Sequence, residues 1–560
     1  MFWLDELGHV AHHARGLRTP EAKRVLPLSN YSVWILLLGI LFFAGAIRIR
    51  LLEMPLERDE GEYAYAGQLI LQGIPPYRLA YNMKLPGIYA AYALVMAVFG
   101  QTIAGIHLGL LVVNAATTVL VFLLARRLFD PWAGGAAAAS YAILSVSPSV
   151  LGMAAHATHF VILPALGGLL VLLRALESGR LRTFFTSGLL FGLAFIMKQP
   201  GIFFVAFGTL FLLWSEWQTR PFNWRRCVLR NAVFLAGAVV PFGVTCVILL
   251  KAGVFDRFWF WTFTYAREYV SEIPVSVGVG RLTRHLKRIV VPGVGLWALA
   301  GMGLISLCWR KEWRDRRAVA IGFLLFSVLA VCPGFFFRPH YFIVVLPAIA
   351  LLGGLAVSTV RRLLSETEFP NGLQRGVPVL LLLAACGQVG FQHRAIFFEM
   401  SPKAASRKIY DANPFPESQE IANYIKAHTA GEARIAVLGS EPQIYFYSGR
   451  HSATGYIYTY GLMEEQKHAL RMQHEMIEEI EAARPEYIVS VNVSTSWVVR
   501  PNSEKLILKW REDYVRQNYE LAGIIDIVSS EHTEYRWDDQ VGDYRPRSRY
   551  YLFVHKRRSL

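Results

Sequence analysis

The sequence predicts a polytopic α-helical membrane protein of about eleven spans that carries a C-terminal α/β domain. Three observations predict it. Hydrophobic residues make up 54% of the 560-residue chain, and the mean hydropathy of +0.35 lies above the range of ordinary soluble domains. Apolar stretches of about 20 residues, the length that crosses a hydrocarbon core of roughly 30 Å, recur along the chain. The net charge of +16 is gathered largely in the short loops between them, which assigns it to anionic lipid headgroups rather than to nucleic acid; the 13% aromatic content suits interfacial belts.

The first 30 residues are charged and mixed. They lack the layout of a cleavable signal, so the apolar run from Tyr31 reads as a retained first span behind a cytoplasmic segment 1–30. Spans are expected at 31–50, 103–125, 132–149, 158–174, 183–197, 200–215, 230–250, 291–309, 318–333, 340–360 and 376–392. With a cytoplasmic N-terminus, the even-numbered spans end in basic clusters. These are Arg126–Arg127; Arg174, Arg180 and Arg182; Arg220, Arg225, Arg226 and Arg230; Arg310, Lys311, Arg314, Arg316 and Arg317; and Arg361–Arg362, as positive-inside orientation requires. The apolar segment Pro86 to Phe99 has about 14 residues, too few to cross. Counting it would invert every later loop, so it reads as a helix lying at the outer interface. The odd number of spans then puts everything after about 393 on the periplasmic or extracellular side.

The outer parts are the loop 51–102, the loop 251–290 and the domain 400–560. In that domain helical patterns (Pro416 to His428, Glu464 to Ala483, Ser503 to Asn518) alternate with β-branched runs (Arg434 to Leu438, Tyr487 to Val491, Ile524 to Val528, Tyr551 to His555), which predicts a small α/β layer. Five cysteines without a CxxC pair indicate neither a disulfide framework nor a zinc site.

The residues that are expensive to place beside a bilayer gather on the outer side. Arg58-Asp59-Glu60-Gly61-Glu62-Tyr63 follows the first span. Asp59 as N-cap with Glu62 at the third helical position imitates a capping box for a helix 60–72, a role compatible with chemistry because it fixes a carboxylate at the membrane surface. Lys84, before Pro86-Gly87, either snorkels or joins Asp59 in binding an anionic headgroup. His156 and His159, in the turn before the fourth span, fall on one face if helical. They read as hydrogen-bonding groups or substrate contacts, and a divalent-metal site that uses them with an acidic residue of the first loop stays open. Lys198 and the run Arg338-Pro339-His340-Tyr341 strand cations on the outer side, against the orientation bias, which suggests a bound phosphate. In the loop 251–290, Tyr265 and Arg267 belong to an interleaving of aromatic and basic residues that suits either sugar stacking with phosphate binding or an interfacial helix.

These residues resemble the GT-C glycosyltransferases of the protein O-mannosyltransferase and lipid A aminoarabinose transferase type, over roughly 31–392. The matching features are Asp59-Glu60 followed by Tyr63, then Lys84 with Pro86-Gly87, and Leu123 to Phe129 closing the second span. Gly188 to Gln199 with Lys198, and His340-Tyr341-Phe342 with Leu346-Pro347, complete the set. The resemblance implies a polyprenyl-phosphate sugar donor, an acceptor in the envelope and inverting transfer on the outer side of the cytoplasmic membrane. It casts Asp59 as the catalytic carboxylate, with Glu60 and Glu62 as acidic alternates. Lys84 becomes the phosphate-binding lysine, and Arg338, His340 and Tyr341 sit where the family approaches the donor phosphate; from the residues themselves, Arg58 and Lys198 join the donor-phosphate candidates and Tyr63, His156, His159, Tyr265 and Arg267 the substrate contacts. Many relatives have a second acid in the turn before the fourth span, where this chain reads Ala154-Ala155-His156-Ala157-Thr158-His159. A carboxylate-bound metal is therefore in doubt.

A sugar phosphate already carries a good leaving group. Asp59 would serve as general base toward the acceptor hydroxyl, and Lys84 with Arg338 would neutralise the departing phosphate. No P-loop and no GxGxxG fingerprint points to a nucleotide. The competing class is a lipid-linked-glycan transporter or a noncatalytic assembly partner, against which stand the clustering of charge at one face and the large outer domain. The identities of sugar and acceptor carry no motif.

Overall fold

A computed structural model describes residues 30–558; the expected cytoplasmic segment lies almost wholly outside them. Each expected span coincides with a helix: Asn30–Arg50, Ile103–Leu128, Pro131–Ser145, Ala157–Ser178, Leu181–Met197, Ile202–Gln218, Trp224–Lys251, Val294–Trp309, Arg317–Leu329, Leu346–Ser365 and Asn371–Gln392. Seven helical stretches among the described residues are long and apolar enough, by length and composition, to cross a membrane. Phe42, Val239, Ile248, Leu380 and Leu383 stand exposed on these helices, an arrangement that suits contact with lipid. Inside, Leu166, Phe191, Phe204, Phe234 and Leu355 form the bundle core.

Polar groups mark two ends of the bundle. The helices that start at Ile103, Ala157 and Leu346 begin close to the first loop or its partners, where His107 meets Leu52 and Glu60, and Thr158 meets the His340 carbonyl. They finish in Arg127 paired with Glu177 and in Arg362 paired with Asp130. At 1.5 Å per residue, 20 or more residues separate these ends by about 30 Å, the depth of a hydrocarbon core.

The tenth span starts later than expected. Pro339 to Val344 forms a tight turn, and the regular helix begins at Leu346 with Pro347 in its first turn, where a missing N–H costs nothing. His340 and Tyr341 therefore sit on irregular backbone beside the first loop rather than inside a span. Pro86 to Phe99 forms the helix Gly87–Phe99, too short to cross. It buries Ile88, Tyr89, Tyr92 and Met96, and it packs so closely on helix Arg58–Leu71 that a Cβ on Gly67 would stand 2.9 Å from the Ala93 nitrogen.

The C-terminal part is a six-stranded mixed sheet with flanking helices. Its strands are β1 (Arg434–Leu438), β2 (His451–Ser452), β3 (Tyr487–Asn492), β4 (Tyr519–Ile527), β5 (Thr533–Trp537) and β6 (Tyr551–Arg557), in the order β2-β1-β3-β6-β4-β5. β1 runs parallel to β2 and β3, and the remaining pairs are antiparallel. β4 begins earlier than its apolar run because its first residues pair with β6 across an irregularity at Leu521/Gly523. β2 and β5 had no apolar run to announce them.

This domain is seated on the first loop. Helix Gln443–Ser448 lies against helix Arg58–Leu71, Arg58 pairs with the buried Glu441 at 2.6 Å, and the Ser452 amide donates to Tyr65 at 2.8 Å. The Leu56 amide donates to Tyr447 at 2.9 Å and the Tyr81 amide to the Gly455 carbonyl at 2.6 Å. Gly61 sits at the closest approach: a Cβ there would lie 2.6 Å from the Gln443 backbone nitrogen. Backbone cannot yield as a side chain can, so Gly61→Ala is expected to lower stability by about 1–3 kcal/mol. The check is a thermal unfolding series with proteolysis of the C-terminal domain; unchanged midpoint and cleavage rate would contradict this packing.

Candidate active site

The helix Arg58–Leu71 starts beside the bundle, and its cap decides what its acids can do. The N-cap is Glu57 rather than Asp59: the Glu57 carboxylate accepts from the Glu60 amide, and the Glu60 carboxylate accepts from the Glu57 amide, both at 3.1 Å. This reciprocal box satisfies the helix start and leaves the Asp59 side chain free to face a cavity. The sequence pattern could not separate the two registers, because acids occupy positions 57, 59, 60 and 62.

Glu60 is occupied elsewhere as well. Its Oε1 accepts from the Ala155 amide at 2.6 Å and lies 3.1 Å from His107 Nε2. These contacts clamp the turn that carries His156. Glu62 accepts a hydrogen bond from the Tyr89 hydroxyl at 2.5 Å; burial raises its carboxyl to about 7.

Asp59 lines a cavity of about 150 Å³. Around it stand Lys84, Lys198, Arg338 and Tyr341, together with Tyr265, Tyr269 and Trp261 of the loop 251–290 and Tyr458, Tyr460 and Glu464 of the C-terminal domain. Lys84 reaches the site because the Tyr77 hydroxyl donates to its carbonyl at 2.6 Å, and Gln199 donates to the neighbouring Met83 carbonyl at 2.5 Å. That second bond holds the Lys84 loop to the break that carries Lys198. Gly87 permits the approach: a Cβ there would meet the Ile196 carbonyl oxygen at 2.4 Å.

Lys84 Nζ lies 3.2 Å from Asp59 Oδ1 and 3.2 Å from the Tyr63 hydroxyl. Burial opposes the lysine's charge, but Asp59 and Glu62 outweigh it and hold Lys84 raised to about 12. Burial also works against the Asp59 carboxylate, which the basic groups around it, Lys84 first and then His340, His156 and Arg338, hold well below the usual range. Burial lowers the His156 imidazole to about 4 and depresses that of His340, so both rings are neutral at pH 7. Lys84 and Arg338 thus carry the positive charge opposite Asp59. Lys198 stands over the Tyr341 ring at 4.2 Å. Burial and the charges of Lys84 and Arg338, against a smaller pull from Asp59, bring it down to about 7.

His156 pairs with His340 rather than with His159: the two rings stack with centroids 4.1 Å apart. His156 is the N-cap of its helix, so helical spacing to His159 does not apply. Asp59, His156 and His340 form a buried group whose ligand atoms all lie within 4.8 Å of one another, and both His156 ring nitrogens lack a hydrogen-bond partner. His159 is buried apart from the cavity lining. Arg58 is bound to Glu441, Tyr460 and Asn413, and Arg267 is exposed outside the lining. Tyr63 backs Lys84 from outside the lining, with the ammonium 5.3 Å from its ring centroid.

Sequence reading missed Tyr458, Tyr460 and Glu464. They lie about 400 residues from Asp59 in a segment with no chemical signature, and only the seating of the sheet domain brings them in. Burial raises Glu464 to about 7, and it accepts a hydrogen bond from Tyr265 at 2.5 Å.

Residues 84–250 match the family model described as dolichyl-phosphate-mannose-protein mannosyltransferase. The undecaprenyl phosphate-alpha-4-amino-4-deoxy-L-arabinose arabinosyl transferase of Pseudomonas aeruginosa is 28% identical over 383 residues, 64% of this chain and 62% of the relative. A second transferase of that name from Pseudomonas fluorescens is 26% identical over 60% of this chain and 58% of its own length. The chain thus spans about three fifths of the curated relatives it matches. The structure of ArnT from Cupriavidus metallidurans bound to undecaprenyl phosphate superposes with a TM-score of 0.57 at 14% identity, covering 94% of this chain and 98% of that one. The apo oligosaccharyltransferase of Archaeoglobus fulgidus superposes at 0.55 and 13% identity, covering 93% and 76%. The GT-C resemblance read from the sequence is borne out, and the fold of this multi-pass membrane protein is the one expected.

A lysine held near pH 7 between two other cations predicts a pH-dependent anion site. Lys198 is charged below about 7 and neutral above it. Affinity for a polyprenyl phosphodiester, whose own charge is constant, is therefore expected to fall about tenfold from pH 6 to pH 8.5, and to fall less steeply in Lys198→Met, where Glu464 of the same lining still titrates. Equal pH profiles for the two proteins in a binding titration would contradict the assignment.

Proposed function

We propose that this chain is an inverting glycosyltransferase that moves a sugar from a polyprenyl-phosphate donor to an envelope acceptor on the outer side of the cytoplasmic membrane. The observation that carries the reading is the convergence of Lys84, Lys198 and Arg338 on one cavity around the buried Asp59. Three cations against that carboxylate make a site that gains by taking up a phosphate. A lipid phosphate is the form suited to a cavity beside a helical bundle. The similar transferases are named for undecaprenyl-phosphate substrates, and the similar ArnT structure binds undecaprenyl phosphate. In this reading residues 31–392 form the membrane part, 400–560 an outer domain that helps to select the acceptor, and the N-terminus is cytoplasmic, as the basic loops require.

The mechanism follows from the charges. The donor phosphate enters between Lys84, Lys198 and Arg338, while Tyr265, Tyr269 and Trp261 offer ring faces and hydroxyls to the sugar. Asp59, kept ionised, takes the proton of the acceptor hydroxyl as that oxygen attacks the anomeric carbon from the side opposite the phosphate. The bond from the anomeric carbon to the phosphate oxygen breaks with its electron pair. The cations stabilise the phosphate as its charge grows.

Asp59, His156 and His340 also suit a divalent cation, since one carboxylate and two neutral imidazoles make a usable donor set and the His156 nitrogens make no hydrogen bond among the described residues. Such an ion, when bound, supplies positive charge to the acceptor oxygen.

The test supplies purified protein with radiolabelled polyprenyl-phosphate sugars and cell-envelope extract, before and after chelation. Asp59→Asn is expected to lose at least 100-fold in transfer while still binding donor, and Lys84→Met to lose donor affinity as well. Equal transfer by wild type and Asp59→Asn would remove Asp59 from the chemistry. Loss of wild-type transfer on chelation, restored by a divalent metal, would assign the triad to an ion. Donor binding with no transfer to any acceptor would favour a lipid-linked-glycan transporter or a noncatalytic partner.

A further inference from the structure

The segment Tyr456 to Glu464 follows β2 and runs along the cavity, to which it supplies Tyr456, Tyr458, Tyr460 and Glu464. Its backbone is held by the C-terminal domain. The Thr459 amide donates to Ser440 Oγ at 2.9 Å, and the Thr459 hydroxyl donates to the Ser496 carbonyl at 3.0 Å, with Ser440, Thr459 and Ser496 all buried. The ring of Tyr458 packs edge-on against Tyr460, centroids 5.4 Å apart. Tyr458 is thus delivered from a folded domain rather than from a loose loop.

Its hydroxyl donates to Asp59 Oδ1 at 3.0 Å, and Lys84 Nζ lies 3.2 Å from the same oxygen. Oδ2 faces His156 Nδ1 and His340 Nε2, both at 3.8 Å, beyond hydrogen-bond reach. The two oxygens of one carboxylate are therefore unlike: Oδ1 holds two donors, and Oδ2 keeps its lone pairs. Rotation about the bond to the carboxyl would exchange them, and the two donors on Oδ1 oppose that rotation.

We propose that Tyr458 is a positioning residue for sugar transfer: with Lys84 it pins Oδ1 of Asp59 and so presents Oδ2 as the oxygen that takes the acceptor's proton. The proposal rests on Asp59 as the base, with Oδ2 not bound to an ion. In the step it serves, the acceptor O–H bond breaks with its proton passing to Oδ2, the acceptor oxygen bonds to the anomeric carbon, and the phosphate leaves with the electron pair of the broken C–O bond. Tyr458 keeps its own proton throughout. The sheet domain then completes the catalytic centre, in addition to any part in choosing an acceptor.

The test compares full-length wild type, Tyr458→Phe, Tyr447→Phe and Asp59→Asn in two measurements. One is the initial transfer rate from saturating radiolabelled undecaprenyl-phosphate sugar into cell-envelope extract. The other is the Kd for undecaprenyl phosphate itself, which also reports a folded cavity. Tyr447→Phe removes a hydroxyl from the same domain junction that does not touch Asp59, and it is expected to stay within about twofold of wild type in both. Tyr458→Phe, which loses a hydrogen bond to a charged group, is expected to transfer about tenfold more slowly or worse with Kd within about twofold. A Tyr458→Phe rate equal to that of Tyr447→Phe would overturn the proposal, and so would parallel losses of rate and affinity, which would make Tyr458 a donor contact or a structural support. If Asp59→Asn transfers like wild type, the base assignment fails and this proposal falls with it; an inactive Asp59→Asn beside an unaffected Tyr458→Phe overturns the positioning role alone.

Discussion

The pair of Asp59 and Lys84, buried and 3.2 Å apart, is the interaction on which the rest of the structure depends. A carboxylate withdrawn from water at the edge of a helical bundle is costly unless its charge is answered and its oxygens are bonded. The chain answers it with Lys84 and encloses the pair in tyrosines, Tyr63 behind the lysine and Tyr458 on the acid. Two further cations then converge where the carboxylate has already been matched. In the proposed reading this excess of basic groups suits an anion. Burial first, and then the neighbouring charge of Lys84, bring Lys198 down to about 7.

Holding this pair in place takes much of the molecule. The capping box of Glu57 and Glu60 sets the register of helix Arg58–Leu71, so that Asp59 faces inward. Glu60 also grips the Ala155 amide and with it the His156 turn. Gln199 ties the Lys84 loop to the Lys198 break. The sheet domain closes the far side through Arg58–Glu441 and the close passage at Gly61. Of the acids near Asp59 in sequence, Glu60 forms half of a cap and Glu62 accepts from Tyr89.

Much of this was legible beforehand, for physical reasons that can be named. Hydropathy placed the helices because a bilayer demands about 20 apolar residues per crossing, and the short helix Gly87–Phe99 was demoted by the same rule. Three strands of the sheet domain start where their β-branched runs start, at Arg434, Tyr487 and Tyr551. Asp59, Lys84, His156, Lys198 and Arg338 were expected to share a face because charge at that depth is rarely idle; Asp59, Lys84, Lys198 and Arg338 line one cavity, while His156 is outside its lining with Nδ1 3.8 Å from Asp59 Oδ2. The remainder depended on long-range packing. Nothing local could tell whether Glu57 or Asp59 capped the helix, or that His340 would displace His159 as the partner of His156. Arg58 resembled a phosphate ligand only while its partner Glu441, nearly 400 residues away, was out of view.

The central claim is that the three cations beside Asp59 form the seat of a lipid phosphate. It is tested most directly by an experimental structure of the full chain with undecaprenyl phosphate. Phosphate density is expected within hydrogen-bond reach of Lys84, Lys198 and Arg338, with the lipid tail leaving toward the helical bundle and Asp59 Oδ2 open on the opposite side. Phosphate density away from those three side chains, for example among Arg281, Arg284 and Arg500 in the neighbouring cavity, would contradict it.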